Sequence, residues 1–275
     1  MNENKTNINW FPGHMAKTKR EISEKLDLID IVYEVIDARM PISSKIVDID
    51  DLIKDKPRIL VVTKMDLCDE VETNKILDSY RENGFHIVSV DLMNGNVDAL
   101  LKETKSIMND INSKRKEKGM SERCARVLIV GAPNVGKKSA GVGNTPGFTK
   151  SLSWIRVNKD IELLDTPGIL WPKLENQEHA QILAAFSSIK EEILNLDSLA
   201  CFILKRIYEL YPEKLKERYG IDYLDEDYVE AYEIIGKKRG ALAKGGIIDY
   251  DKVSNIIVKD LKNGYFGNIT LDRIK

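Results

Sequence analysis

The first third of the chain alternates short apolar runs with longer amphipathic stretches. Apolar and β-branched residues dominate 31–36, 58–62 and 87–90, whereas 70–81 has the composition of a helix. Such alternation is typical of a parallel sheet with helices on its faces. The pattern therefore predicts an α/β fold for this part of the chain.

A second set of strands follows a basic stretch. Lys and Arg accumulate over 113–126, and an apolar run occupies 127–130 directly afterwards. We interpret 113–126 as a basic linker that joins two parts of one sheet. Farther on, the apolar runs 153–157 and 161–164 are separated by an Asn-Lys-Asp turn, which predicts a hairpin.

The remainder of the chain has the spacing of helices. Apolar residues recur at helical intervals over 182–219 and 227–234, and no convincing strand pattern is present there. We therefore expect two domains, an α/β domain over 1–178 and an α-helical domain over 179–275.

Composition limits the classes of protein that the chain can represent. Of its 275 residues, 43% are hydrophobic and 31% are charged, and the formal net charge of −2 provides no overall attraction for polyanions. Cys68, Cys124 and Cys201 show no CxxC spacing, which argues against a disulfide framework or a zinc site. The first twenty residues contain no long apolar segment, so we expect no membrane anchor and a cytoplasmic location.

A glycine-containing loop follows the fourth predicted strand. Gly131-Ala132-Pro133-Asn134-Val135-Gly136-Lys137 satisfies the pattern GxxxxGK in the position that a phosphate-binding loop needs. Backbone N–H groups of Asn134, Val135 and Gly136 would face phosphate oxygens, and Lys137 would add a positive charge. The alternative is an ordinary glycine-rich turn.

A second candidate motif follows the strand at 161–164. In Asp165-Thr166-Pro167-Gly168, the Asp165 carboxylate stands at a strand end, where it can hold Mg²⁺ through water. Pro167 and Gly168 would bring the backbone of the same turn to a γ-phosphate. The tetrapeptide alone is common turn chemistry, but together with the preceding loop it indicates a nucleotide site.

A third motif is a candidate for recognising the base of the nucleotide. Thr63-Lys64-Met65-Asp66 follows the strand at 58–62, and the Asp66 carboxylate can accept hydrogen bonds from N1–H and N2–H₂ of guanine. Adenine lacks this pair of donors, so Asp66 would select guanine. Ser89, at the end of the next strand, would add a contact to the same base. The alternative for this motif is a helix start, because Thr and Asp both cap helices.

The order of the motifs points to a family. The base-reading motif precedes the phosphate-binding loop, which reverses the order in conventional GTPases. With Trp10-Phe11-Pro12-Gly13-His14-Met15-Ala16-Lys17 and Asp37-Ala38-Arg39-Met40-Pro41, the chain resembles the circularly permuted GTPases over almost its whole length. The resemblance implies a P-loop GTPase domain with permuted motif order and an α-helical C-terminal domain. It also implies GTP, GDP and Mg²⁺ as ligands, K⁺ as a further candidate cofactor, and the large ribosomal subunit precursor and its rRNA as partners.

Several residue roles follow from this resemblance alone. Ile169 stands where many GTPases carry a glutamine that orients water, and His14 is the family's proposed replacement. Thr149 would contact Mg²⁺ and the γ-phosphate together with Asp165, and Asn134 would lie beside K⁺. Alternatively, His14 is a solvated side chain, Thr149 an ordinary loop residue and Asn134 a loop-shaping residue.

The expected RNA contacts lie in the helical part. Lys237, Lys238, Arg239 and Lys244 cluster between glycines, a composition that suits backbone phosphates. Acidic and basic residues nevertheless balance over 189–275, so a solvated charged face is the alternative for this stretch.

The stretch after Lys137 departs from the family pattern. Lys138 replaces the Ser or Thr that would reach Mg²⁺, and Gly141, Gly143 and Pro146 exclude the expected helix. Either the printed sequence omits about three turns of chain here, or the protein has lost them. A true loss would favour a nucleotide-gated docking factor that does not hydrolyse GTP, and an ATP-using P-loop enzyme is a more distant alternative.

Overall fold

A computed structural model describes residues 13–46, 49–91, 94, 96–136, 152–166, 176–189 and 195–274, with the backbone alone at 13–16 and 153. Within these residues, a six-stranded sheet has the order β3-β2-β1-β4-β6-β5. The strands are β1 Ile31–Asp37, β2 Arg58–Thr63, β3 His86–Ser89, β4 Ala125–Gly131, β5 Ser153–Arg156 and β6 Ile161–Asp165. Every pairing is parallel except that of β5 with β6, so the predicted α/β sheet and the predicted hairpin are both confirmed.

Helices flank the sheet and make up most of the chain after it. They are α1 Gly13–Lys25, α2 Ile49–Ile53, α3 Glu70–Glu82, α4 Asp98–Glu117, α5 Gln177–Ala185, α6 Leu196–Leu210, α7 Pro212–Tyr219, α8 Val229–Arg239 and α9 Tyr250–Lys262. Capping side chains set several of these starts. Asp69 accepts from the backbone N–H groups of Val71 and Glu72, and Asn195 caps α6 in the same way.

The predicted linker over 113–126 is wrong at both of its ends. Residues 113–117 continue α4, and only 118–124 connect that helix to β4. Lys114, Arg115 and Lys116 occupy the last helical turn, where positive charges interact favourably with the helix dipole. A cluster of positive charges is therefore as typical of the last turn of a helix as of a charged linker.

The helical part shares a core with one end of the sheet. Met40, Ala132 and Val135 pack into the same buried cluster as side chains from α5, α6 and α9. Helix α5 begins at Gln177, close to the predicted domain boundary, but apolar packing continues across that boundary. No helix within the described residues has the length and apolar character that crossing a membrane requires.

Candidate functional site

The predicted motifs converge at the carboxyl edge of the sheet. Strand β1 lies between β2, which leads to Asp66, and β4, which leads to the phosphate-binding loop, while β6 ends at Asp165. In the strand order, β2 follows β1 on one side, whereas β5 and β6 lie on the other side of β4. In open α/β sheets, ligands bind at the carboxyl ends of strands beside such a switch point.

The described part of the phosphate-binding loop, 131–136, is packed tightly against β1. A Cβ atom on Gly131 would lie 2.8 Å from the carbonyl oxygen of Val35, so only glycine fits there without a shift of the backbone. Val135 is buried, and its carbonyl oxygen accepts a short hydrogen bond from the Thr63 hydroxyl. The Thr63 side chain therefore fastens the phosphate-binding loop to the end of β2.

Lys64 joins the base-reading motif to the phosphate-binding loop. Its Nζ atom donates to the carbonyl oxygen of Asn134 and to Oδ2 of Asp37, both at 2.7 Å. Its backbone is left-handed, with φ of 60°, and this turn leads into the short helix Met65–Leu67. Asp66 is exposed on that helix, and Ser89 is exposed at the end of the adjacent strand, where both can meet a base.

Asp37 is the buried anion that organises this edge. Arg39 donates to both of its oxygens, from Nε at 3.0 Å and from Nη2 at 2.8 Å, and Lys64 adds a second positive charge. Burial by itself would raise the pKa of Asp37, but the two cations outweigh burial and hold that pKa well below its ordinary value. Sequence reasoning used this motif only as a family signature and missed its structural role.

Residues after α5 hold the phosphate-binding loop from the other side. The Ser188 hydroxyl donates to the carbonyl oxygen of Pro133 at 2.8 Å, and Nδ2 of Asn134 donates to the carbonyl oxygen of Ser187 at 2.7 Å. Asn134 has a φ of 64°, which Asn tolerates better than most residues. These contacts support a loop-shaping role for Asn134, and its part in binding K⁺ stays a prediction.

The structure describes only some of the remaining predicted site residues. Asp165 is half-buried at the end of β6, and the neighbouring Thr166 hydroxyl donates to the carbonyl oxygen of Ile129. His14 lies in the first turn of α1, with its side chain outside the described residues. Lys137, Thr149, Pro167 and Gly168 also lie outside the described residues. Within the described ranges, no three His, Cys, Asp or Glu side chains gather as a metal site.

Comparison with known proteins agrees with the motif order. The family described as "50S ribosome-binding GTPase" matches residues 126–230. Ribosome biogenesis GTPase A of Bacillus licheniformis is 42% identical, over 97% of this chain and 98% of that protein. The protein of the same name from Thermotoga maritima is 28% identical, over 97% of this chain and 94% of its own length.

Solved structures show the same architecture. GDP-bound YlqF has a TM-score of 0.63 and 25% identity, over 92% of this chain and 99% of that one. GNP-bound YlqF from T. maritima has a TM-score of 0.61 and 27% identity, over 94% and 98% of the two chains. The fold and the site thus define a circularly permuted GTPase that binds guanine nucleotide and hydrolyses GTP. The chain belongs to the family of ribosome biogenesis GTPase A.

The stretch after Lys137 lies outside the described residues, so the missing helix predicted there stays a prediction. Since family membership shows GTP hydrolysis, the non-hydrolysing and ATP-using alternatives are not retained.

We expect Asp66→Asn to lower GDP affinity about a hundredfold, because the carboxylate predicted to accept from guanine is lost. The same change should raise affinity for XDP, since an amide can donate to the 2-oxo group of xanthine. Titration calorimetry with GDP, XDP and ADP measures both effects. Asp78→Asn, on the exposed face of α3, is the matched control. Equal affinities of the wild-type protein for GDP and ADP would contradict the guanine assignment.

Proposed function

We propose that this GTPase is an assembly factor for the large ribosomal subunit, which binds rRNA in its GTP state and is released by hydrolysis. Its family membership carries the proposal, because relatives that match nearly the whole chain bear the name ribosome biogenesis GTPase A. The site supports it through a phosphate loop that is linked both to the base-reading loop and to the helical part. The location that corresponds to this proposed role is the cytoplasm.

The donor set at the carboxyl edge suits Mg²⁺. This ion usually takes one or two carboxylates or hydroxyls and completes its shell with substrate phosphates and water. Asp165 stands at the end of β6, as such a role requires, and Thr149 would be the second contributor. Bound Mg²⁺ would neutralise phosphate charge, and K⁺ beside Asn134 is a further proposed cofactor.

His14 is the proposed water-positioning residue. The apolar Ile169 cannot orient water, whereas an imidazole can accept a proton from it or donate one to it. Helix α1 is fastened near its C-terminal end, because Ile22 lies in one buried cluster with Val32, Leu128 and Leu164 of the sheet. The helix start that carries His14 can therefore be presented to the nucleotide when a ribosomal particle holds the preceding segment.

We expect His14→Ala to leave GDP affinity unchanged but to remove most of the increase in GTP turnover that large-subunit particles cause. General acid–base and positioning groups are typically worth about a hundredfold or more. Phosphate release with and without particles measures the effect. The control is His86→Ala. His86 is an exposed histidine at the start of the edge strand β3, and its side chain pairs with Glu103 of α4. Undiminished stimulation would remove His14 from the mechanism.

The proposed RNA surface combines the predicted cations with a neighbouring groove. Lys237, Lys238 and Arg239 are exposed in the last turn of α8, and Lys244 is exposed in the following loop. Arg239 lies 3.6 Å from the Asp260 carboxylate. This carboxylate also binds Arg218 at 2.8 Å, so the two arginines lie side by side.

Arg218 opens onto a groove of about 430 Å³ that Lys214 and Tyr265 also line. Its guanidinium lies 4.3 Å from the centre of the Tyr265 ring, and its Nη2 atom is buried with no hydrogen-bond partner among the described residues. Tyr265 is exposed, and a cation beside an exposed aromatic ring suits a phosphate together with a stacked base. These features support RNA binding by this face.

We expect the double change Lys238→Glu and Lys244→Glu to weaken binding to protein-free large-subunit rRNA at least about tenfold. The dependence of affinity on salt should also become less steep, because fewer phosphates are neutralised. Filter binding over a series of salt concentrations measures both. Lys159→Glu, in the exposed β5–β6 turn, is the control. Equal affinity and equal salt slope would contradict the assigned surface.

A further inference from the structure

The chain returns from the helical part to the base-reading loop after α9. Ile269, Thr270, Leu271 and Asp272 are all buried, and we call 269–272 the C-terminal segment. The backbone N–H of Leu271 donates to the carbonyl oxygen of Arg39 at 2.8 Å. That of Ile269 donates to the carbonyl oxygen of Leu67 at 3.3 Å. The segment therefore contacts the turn that carries Asp66 and the loop that carries Arg39.

The hydroxyl of Thr270 lies at the centre of a hydrogen-bonded chain. The backbone N–H of Asp69 donates to Thr270 Oγ1 at 3.2 Å, and this oxygen lies 2.7 Å from Thr73 Oγ1. The Thr73 hydroxyl donates to the carbonyl oxygen of Ala38 at 2.8 Å. Asp69 ends the base-reading loop and Ala38 follows Asp37, so one side chain holds the two loops in register.

Asp272 fastens the same segment to the turn beyond Arg39. Its Oδ2 atom accepts from the backbone N–H groups of Ile42 at 2.7 Å and Ser43 at 2.8 Å, and Oδ1 accepts from the Ser43 hydroxyl at 2.5 Å. Such bonds to a buried carboxylate are among the stronger ones in proteins. The turn after β1 is thus tied to the end of the chain.

The helical part anchors the segment in turn. Arg206 of α6 donates to the carbonyl oxygen of Leu271, from Nη2 at 2.6 Å. The hydroxyl of Tyr211, at the junction of α6 and α7, lies 3.1 Å from Oδ2 of Asp69 and 3.1 Å from the carbonyl oxygen of Thr270. A continuous path of hydrogen bonds therefore leads from α6 through the segment to the base-reading loop.

We propose that the C-terminal segment positions Asp66 for guanine, with Thr270 and Asp272 as positioning residues of the nucleotide site. Asp66 is exposed on a single turn, which Lys64 holds at one end and the segment holds at Leu67 and Asp69. Discrimination between bases depends on directional hydrogen bonds, and a loop that shifts by a fraction of an ångström loses them. The proposal rests on Asp66 reading guanine and is independent of the ribosomal partner.

The test compares GDP with IDP, which lacks the exocyclic amino group that Asp66 would bind. Thr270→Val keeps the volume but removes the hydroxyl, and we expect the preference for GDP over IDP to fall roughly three- to tenfold. Thr270→Ser should restore the wild-type preference. Calorimetric titration of each folded variant gives the two affinities, and thermal unfolding is recorded alongside.

Asn268→Ala, an exposed change beside the segment, is the control and should keep the preference. A Thr270→Val protein with a lower unfolding temperature but an unchanged GDP-to-IDP ratio would overturn the proposal, as would equal losses in the Ser and Val variants. If Thr270→Val does not fold, Tyr211→Phe tests the same anchorage, with the same expected loss. The Asp66→Asn variant reports separately whether Asp66 reads the base, so the two failures are distinguishable.

Discussion

A single buried carboxylate, that of Asp37, carries the geometry of the nucleotide site. It stands at the end of β1, between the strand that leads to the base-reading loop and the strand that leads to the phosphate-binding loop. An unpaired buried charge is costly, so Arg39 and Lys64 must both stay in place. Lys64 in turn donates to the carbonyl oxygen of Asn134, and this hydrogen bond joins the two halves of the site.

The helical part completes this arrangement. Phe186 covers the Arg39 guanidinium at 4.0 Å, Ser188 supports the phosphate-binding loop, and the C-terminal segment supports the base-reading loop. The nucleotide site therefore has contacts with residues from both ends of the helical region. Events at the helices that we propose to bind RNA and at the nucleotide would influence one another through these contacts, because both would act on the same packed elements.

Sequence reasoning reached the strands and the motif positions because both depend on local patterns. The apolar runs identified the sheet, and the permuted order of Thr63–Asp66 and Gly131–Gly136 identified the family. The contacts of Arg39, Ser188 and Thr270 could not be predicted from the sequence, because tertiary contacts of this kind leave no periodic pattern along the chain. The misread linker over 113–126 has a local cause, because a helix that ends in cations has the same composition as a charged linker.

The central claim is that the Asp37 cluster holds the base and phosphate loops as one site, and GDP affinity of Asp37→Asn tests it most directly. Glu34→Gln is the comparison, because Glu34 is a second buried carboxylate on β1, bonded instead to Ile46 and Arg58. The account predicts a loss of at least about tenfold in GDP affinity for Asp37→Asn and little change for Glu34→Gln in folded protein. Equal affinities in the two variants would contradict it.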